Sequence, residues 1–115
     1  MKRAGQIVLF NFPQTDLGIG KSRPALLLAQ LPGNYDDWLI CMISSNLNQY
    51  VEGFDEIINE DSPDFVRSGL RTASVIRTTR LAVVSGEILI GTIGEISPDR
   101  LMRLKNNLGD WIKNV

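Results

Sequence analysis

The chain has 115 residues, 43% of them hydrophobic and 22% charged, with a formal net charge of −1. That length fits one domain over residues 1–115 with a real but modest core, and no apolar run approaches the roughly 18 residues a membrane span needs. The near-neutral balance argues against a general nucleic-acid binder, which is usually basic overall.

In chain order, Gln6–Phe12 is apolar and rich in strand formers, and Pro13 stops it. Residues 14–23 form a polar, glycine-containing loop that ends at Arg23, and Pro24–Gln30 is a second apolar run. Pro32-Gly-Asn-Tyr-Asp-Asp37 reads as a turn. Trp38–Ser44 is apolar almost throughout, as a central strand would be, and Phe54–Asn59 is a weaker strand. Ser62-Pro63 is expected to cap and open a short helix closed by Gly69. Ser74–Val84 is a long strand, Ser85-Gly86 turns the chain, and Glu87–Ile93 returns. Ser97 caps a final helix, with Pro98 and Asp99 in its first turn and Leu101, Leu104, Leu108, Trp111 and Ile112 on one apolar face. Trp111 is read as a packing anchor. Four or five short strands with a terminal helix predict a small curled antiparallel sheet or partly open barrel.

Charge is unevenly distributed. Residues 51–70 hold six acids against Arg67 alone, read mostly as a solvated loop, while residues 71–115 hold seven Lys or Arg against four acids. A cationic face beside an acidic segment binds a polyanion locally without the whole chain being basic. There is no histidine, which removes the commonest acid–base catalyst and metal ligand. With Cys41 the single cysteine, a zinc site is not expected and no cofactor is implied. A lone cysteine inside an apolar strand reads as a small buried hydrophobe, and a reducing cytoplasm is the expected location. No signal peptide is read at Met1-Lys-Arg-Ala.

The candidate site starts from Gly18-Ile-Gly-Lys-Ser-Arg-Pro, where a guanidinium sits at the mouth of a strand beside a loop able to close over a ligand. The forked donors of arginine match phosphate oxygens in pairs. The blander alternative is a tight glycine hairpin with Arg23 as a solvated flank. Strand alternation puts Arg77 and Thr79 on one face and Arg80 on the other, so the arginines are not expected to serve one groove together.

Taken in order, Gly5-Gln-Ile-Val-Leu-Phe-Asn-Phe-Pro13, the Gly18–Leu28 block, Leu39-Ile-Cys-Met-Ile-Ser-Ser45, Gly69-Leu-Arg-Thr-Ala-Ser-Val-Ile-Arg77 and Ile93-Gly-Glu-Ile-Ser-Pro98 resemble the MazF/PemK family, toxins of bacterial toxin–antitoxin pairs. The resemblance runs from about Gly5 to about Leu108. It implies an SH3-like small antiparallel β-barrel with a C-terminal helix, a homodimer, and a protein antitoxin partner whose disordered tail covers the RNA groove. It also implies metal-independent, sequence-selective cleavage of single-stranded RNA, leaving a 2′,3′-cyclic phosphate and a 5′-OH.

Carried over residue by residue, the family's catalytic arginine and threonine fall on Arg23 and Ser44. The serine keeps the hydroxyl but loses the methyl that restricts its rotamer; alternatively its hydroxyl serves its own backbone at the strand end. Lys21, Ser22, Ser45, Asn46, Arg71, Arg77 and Arg80 are the expected RNA contacts. Thr79 and Val83 stand where the family often has an acid and a threonine, which puts activity or sequence preference in question. Two other readings stay open: a non-enzymatic gyrase inhibitor like CcdB, and a family member that binds antitoxin or RNA without cutting.

Overall fold

The computed structural model describes residues 2–11 and 22–115. Six strands, one more than the upper expectation, build a single antiparallel sheet: β1 (Gln6–Asn11), β2 (Ser22–Gln30), β3 (Asp37–Ser44), β4 (Glu56–Ile58), β5 (Ser74–Ser85) and β6 (Leu89–Glu95). Their order is β4-β5-β3-β2-β1-β6, so β3 and β2 are central, as the unbroken apolar run of β3 suggests. A one-turn helix α1 (Phe65–Ser68) precedes β5, and α2 (Pro98–Asn114) ends the chain. This is the mainly β architecture expected. No helix among the described residues is long and apolar enough to cross a membrane.

Alternation along the strands loads both faces of the sheet. One face carries Ile7, Leu26, Cys41, Ile43 and Ile76, joined by Ile58, Ile96 and Leu104, with Leu101 and Leu108 of α2 packed against them. The opposite face carries Val8, Phe10, Ala25, Leu27, Trp38 and Ile40, with Ala82, Val84 and Leu89 brought in as the sheet curls. Cys41 is fully enclosed, and burial, followed by the nearby Asp55 charge, pushes its thiol far up, as befits a buried hydrophobe rather than a nucleophile.

Ser97 caps α2 by accepting from the Arg100 amide at 3.2 Å, with Pro98 in the first turn and Asp99 beside it, as read from the sequence. Its apolar face is shorter than expected. Leu104 is buried, but Ile112 is 63% exposed and Trp111 45% exposed, its ring edge-to-face with Phe54 at a centroid distance of 6.1 Å. The start of α1 also differs. Asp64, not Ser62, is its cap position, and the Asp64 carboxylate is turned away to the Ser97 amide and Arg100. Gly69 closes the helix in the left-handed region at φ 74°, as expected.

The acidic stretch is structural in half its members, against the solvated-loop expectation. Asp55 and Asp64 are buried, and Glu56 holds Arg100 and Arg103; Glu52, Glu60 and Asp61 remain exposed. These three acids supply acceptors to donors far off in sequence, a pairing that composition alone does not show.

Two glycines let α1 lie directly on β6. A Cβ on Gly69 would run into the Ile93 carbonyl, and one on Gly94 into the backbone of Arg67 and Ser68. Because the obstacles are backbone atoms, no rotamer change relieves them. Gly94→Ala is therefore expected to cost about 3 kcal/mol or more, the upper range for overpacking, read as a drop in the urea or thermal midpoint.

Candidate functional site

The β2–β3 ladder pairs Leu26 with Cys41 and Ala25 with Met42. Continuing this register by two residues brings Arg23 opposite Ser44, at the end of the two central strands. Strand alternation then puts Arg23, Ala25, Met42 and Ser44 on one face. Pro24 lies in β2 as read from the sequence, and Arg23 joins it there rather than ending the loop before it.

Two clefts meet at this point. The larger, about 620 Å³, is lined by Ser22, Arg23, Ser44 and Ser45 from the central strands and by Leu70, Arg71, Thr72 and Ser74 from the segment between α1 and β5 and the start of β5. The smaller, about 220 Å³, is lined by Arg23, Ser44, Gln49, Arg77 and Arg80 over a floor of Met42 and Ile43. Arg23, Pro24, Ile43 and Ser44 belong to both and form the ridge between them.

The eight arginines of the chain divide into two groups. Arg3 and Arg67 pair with Glu95, and Arg100 and Arg103 pair with Glu56, Arg100 also with Asp64. Arg23, Arg71, Arg77 and Arg80 form no ion pair with a described carboxylate, and all four line the clefts. No Asp or Glu among the described residues lines either cleft. Unopposed guanidinium groups gathered around polar concave surface make an anion site. The enclosed Nε of Arg77 has no hydrogen-bond partner among the described residues.

The expectation that Arg77 and Arg80 point to opposite faces is corrected. Cys41 pairs with Leu81, but the next residue, Met42, pairs with Arg77. Thr78, Thr79 and Arg80 are therefore extra residues on β5, and this bulge breaks the period-two alternation. Arg80 consequently joins Arg77 in the smaller cleft.

Ser44 Oγ accepts a hydrogen bond from the Asn46 amide at 3.1 Å. This is the strand-end role weighed from sequence, yet it uses only the acceptor side and leaves the hydroxyl proton free to donate to a ligand. Ser45 lines the larger cleft, whereas Asn46 lines neither and its Oδ1 accepts from the Asn48 amide in the 3-10 turn Leu47–Gln49. Lys21 and the glycine loop at Gly18 and Gly20 lie outside the described residues. Thr79 serves Asp55 and lines neither of these two clefts, and Val83 is exposed on the far part of β5. Gln49, Thr72 and Ser74 are cleft residues not singled out from the sequence; Gln49 ends the 3-10 turn, whereas Thr72 and Ser74 lie within the Gly69–Arg77 block, which was the signal that could have found them.

A small curled antiparallel sheet with a terminal helix carries, at the end of its central strands, a cationic cleft that no described carboxylate lines, and this mainly β architecture defines its class. The family model described as the PemK-like, MazF-like toxin of type II toxin–antitoxin systems matches residues 3–112, and the chain belongs to that family. No individually curated protein matches. Among solved structures, the Mycobacterium tuberculosis toxin MazF-mt6 is similar in fold, with a TM-score of 0.67 at 15% identity over 94% of this chain and 96% of that one. A mycobacterial endoribonuclease in complex with its cognate antitoxin is similar with a TM-score of 0.65 at 11% identity, over 100% of this chain and 98% of that one.

Proposed function

We propose that this toxin is a metal-independent endoribonuclease that cuts single-stranded RNA on the ridge between the two clefts. The observation that carries the reading is the segregation of the arginines: the four without carboxylate partners are the four that line the clefts. A chain tracked by phosphates fits an elongated, two-part cationic groove better than a single small anion does.

The ribose 2′-OH attacks the adjacent phosphorus. The new 2′-O–P bond forms as the P–O5′ bond breaks, leaving a 2′,3′-cyclic phosphate and a 5′-OH. The 2′-OH proton passes to water or to the substrate, since no histidine exists and no described carboxylate lines the clefts. The leaving 5′-oxygen takes a proton in turn, from water or from the guanidinium side. Arg23 meets the charge that grows on the pentavalent phosphorus with two parallel N–H donors, and Ser44 donates to a non-bridging oxygen. The partner of this activity is a protein antitoxin whose acidic, disordered tail competes for the same cationic groove. The working assembly is a homodimer, and the compartment is the cytoplasm.

The reading is tested by incubating the protein with a long single-stranded RNA in EDTA and mapping the ends. Discrete cuts with cyclic phosphate ends are expected. Ser44→Ala should slow them by about 10- to 100-fold, as loss of a single donor does, while Ser44→Thr keeps the hydroxyl, restricts its rotamer and should match or exceed the wild type. Intact RNA across a broad panel with the protein still toxic in cells would support the gyrase-inhibitor reading. Intact RNA without toxicity would support a non-cutting binder.

A further inference from the structure

Strand β5 carries three residues that β3 does not match, because the register steps from Cys41↔Leu81 to Met42↔Arg77. Extra residues leave the ladder and need other partners for their polar groups. Asp55 supplies them. Its Oδ1 accepts from the Thr79 amide and hydroxyl, both at 3.2 Å, and its Oδ2 accepts from Thr79 Oγ1 at 3.2 Å and from the Val51 amide at 2.9 Å. The adjoining Phe54 carbonyl accepts from Thr78 Oγ1 at 2.8 Å. The 51–55 turn thus closes over the bulge as a clamp.

Asp55 is 3% exposed and pairs with no cation among the described residues. An ionised carboxylate held this way costs desolvation that a neutral turn residue would avoid. The consequence of the bulge is the crowding of Arg77 and Arg80 into one small cleft beside Arg23. Like charges gathered without a counter-charge, with Arg77 Nε unpartnered, favour the arrival of an anion.

Resting on the ribonuclease reading above, we propose that Asp55 is a positioning residue of the site. By clamping the Thr78–Arg80 bulge it keeps Arg77 and Arg80 in one cleft, and that cleft takes a second RNA phosphate, one nucleotide from the phosphate cleaved at Arg23. Asp55 itself touches no substrate.

The experiment compares the wild type, Asp55→Ala, Thr79→Val and Arg80→Ala on a natural oligonucleotide and on versions with one neutral methylphosphonate linkage on either side of the cut. Asp55→Ala should raise KM about tenfold on the natural RNA with kcat within about twofold. On the version lacking the second charge the wild type should weaken by a similar factor and Asp55→Ala should add nothing. Thr79→Val removes the hydroxyl while keeping the side-chain shape, and Arg80→Ala removes the exposed cation without touching the clamp. Both should show the same KM effect, Arg80→Ala at an unchanged unfolding midpoint, which keeps the test decisive if the clamp variants fold poorly. Equal losses on natural and neutral-linkage RNA, or losses confined to kcat, would overturn the proposal.

A separate arm titrates the protein with inorganic phosphate while following the Arg77 Nε–H signal by NMR. A response in the wild type that Thr79→Val loses supports the clamp even where no RNA is cut, in which case only the ribonuclease reading falls. No response in the wild type means the cleft takes no phosphate, and the inference falls whether or not RNA is cleaved.

Discussion

Replacing Arg23 by alanine is expected to slow RNA cleavage by about a thousandfold while leaving the unfolding midpoint unchanged. The side chain is exposed and in no ion pair with a described carboxylate, so its removal breaks no structural contact of that kind, and surface changes of this kind usually stay within about 0.5 kcal/mol. The effect on rate is large because it falls on the transition state. Loss of one preorganised donor at a developing oxyanion typically costs about 10²- to 10³-fold, and a guanidinium on the ridge offers two donors in a fixed fork. Arg23→Lys keeps the charge but loses the fork, and should fall between the wild type and alanine. Arg71→Ala, on the wall of the larger cleft, is the contrasting case. It should raise KM and lower the dependence of binding on salt by about 0.7 in log–log slope, the share of one phosphate contact on a single strand. Single-turnover rates beside melting curves separate these outcomes. An Arg23→Ala rate within tenfold of the wild type would remove Arg23 from the chemistry.

The residues that made this site legible in the sequence are those whose local chemistry already states a position. Arg23-Pro24 after glycines opens a strand, and the apolar run ending in Ser44 reads as a central strand; the register of those two strands, continued two residues beyond the Ala25–Met42 pair, then brings Arg23 opposite Ser44. Ser97, Pro98 and Asp99 announce α2 through capping physics that acts within one turn. The bulge at Thr78–Arg80 was illegible for a different reason. Three consecutive residues with good strand propensity give no sign of leaving a ladder, and the break is set by the pairing of β5 with β3 and by Asp55, 24 residues earlier. Faces assigned by alternation failed for Arg80 on that account. The same distance effect hid the start of α1: Ser62 is a good local cap, but the Asp64 carboxylate gains more from Arg100, 36 residues on, than from its own helix. The outer end of α2 misled in the opposite direction. Trp111 and Ile112 keep the helical spacing of a core face but stay 45% and 63% exposed.

Arg100→Ala is expected to be the most destabilising single change in the chain, costing about 3–5 kcal/mol, the usual loss when one partner of a buried ion pair is removed. Arg100 is 7% exposed. Its Nε and Nη2 donate to the two oxygens of Asp64 at 2.9 and 3.1 Å, and its Nη1 donates to Glu56 Oε1 at 2.8 Å. Deleting it leaves the buried Asp64 carboxylate without its cation and leaves Glu56 to Arg103. Against a total stability of roughly 5–15 kcal/mol, such a loss puts the protein near its folding threshold. Arg103 shares Glu56 but has a side chain 55% exposed, and Arg103→Ala should cost no more than about 1 kcal/mol.

The acid side of the same clip has a definite sign. Burial pushes the Asp64 carboxyl up, but the hydrogen bonds from Arg100 and the Ser97 amide and the Arg100 charge together outweigh it and hold the group below its ordinary value. A folded-state value below the unfolded one contributes stability that is complete above the unfolded value, about 3.9, and is lost as pH falls through the lower folded one. Urea midpoints measured from pH 7 to pH 2 should therefore fall more steeply below about pH 4 in the wild type than in Asp64→Asn, which starts lower and has no such proton to take up. A parallel pair of curves would sink the assignment. The consequence reaches the site because Asp64 immediately precedes α1, and α1, seated on β6 through Gly69 and Gly94, leads directly into the Leu70–Thr72 wall of the larger cleft. Loosening the clip should thus raise KM for RNA before it unfolds the chain.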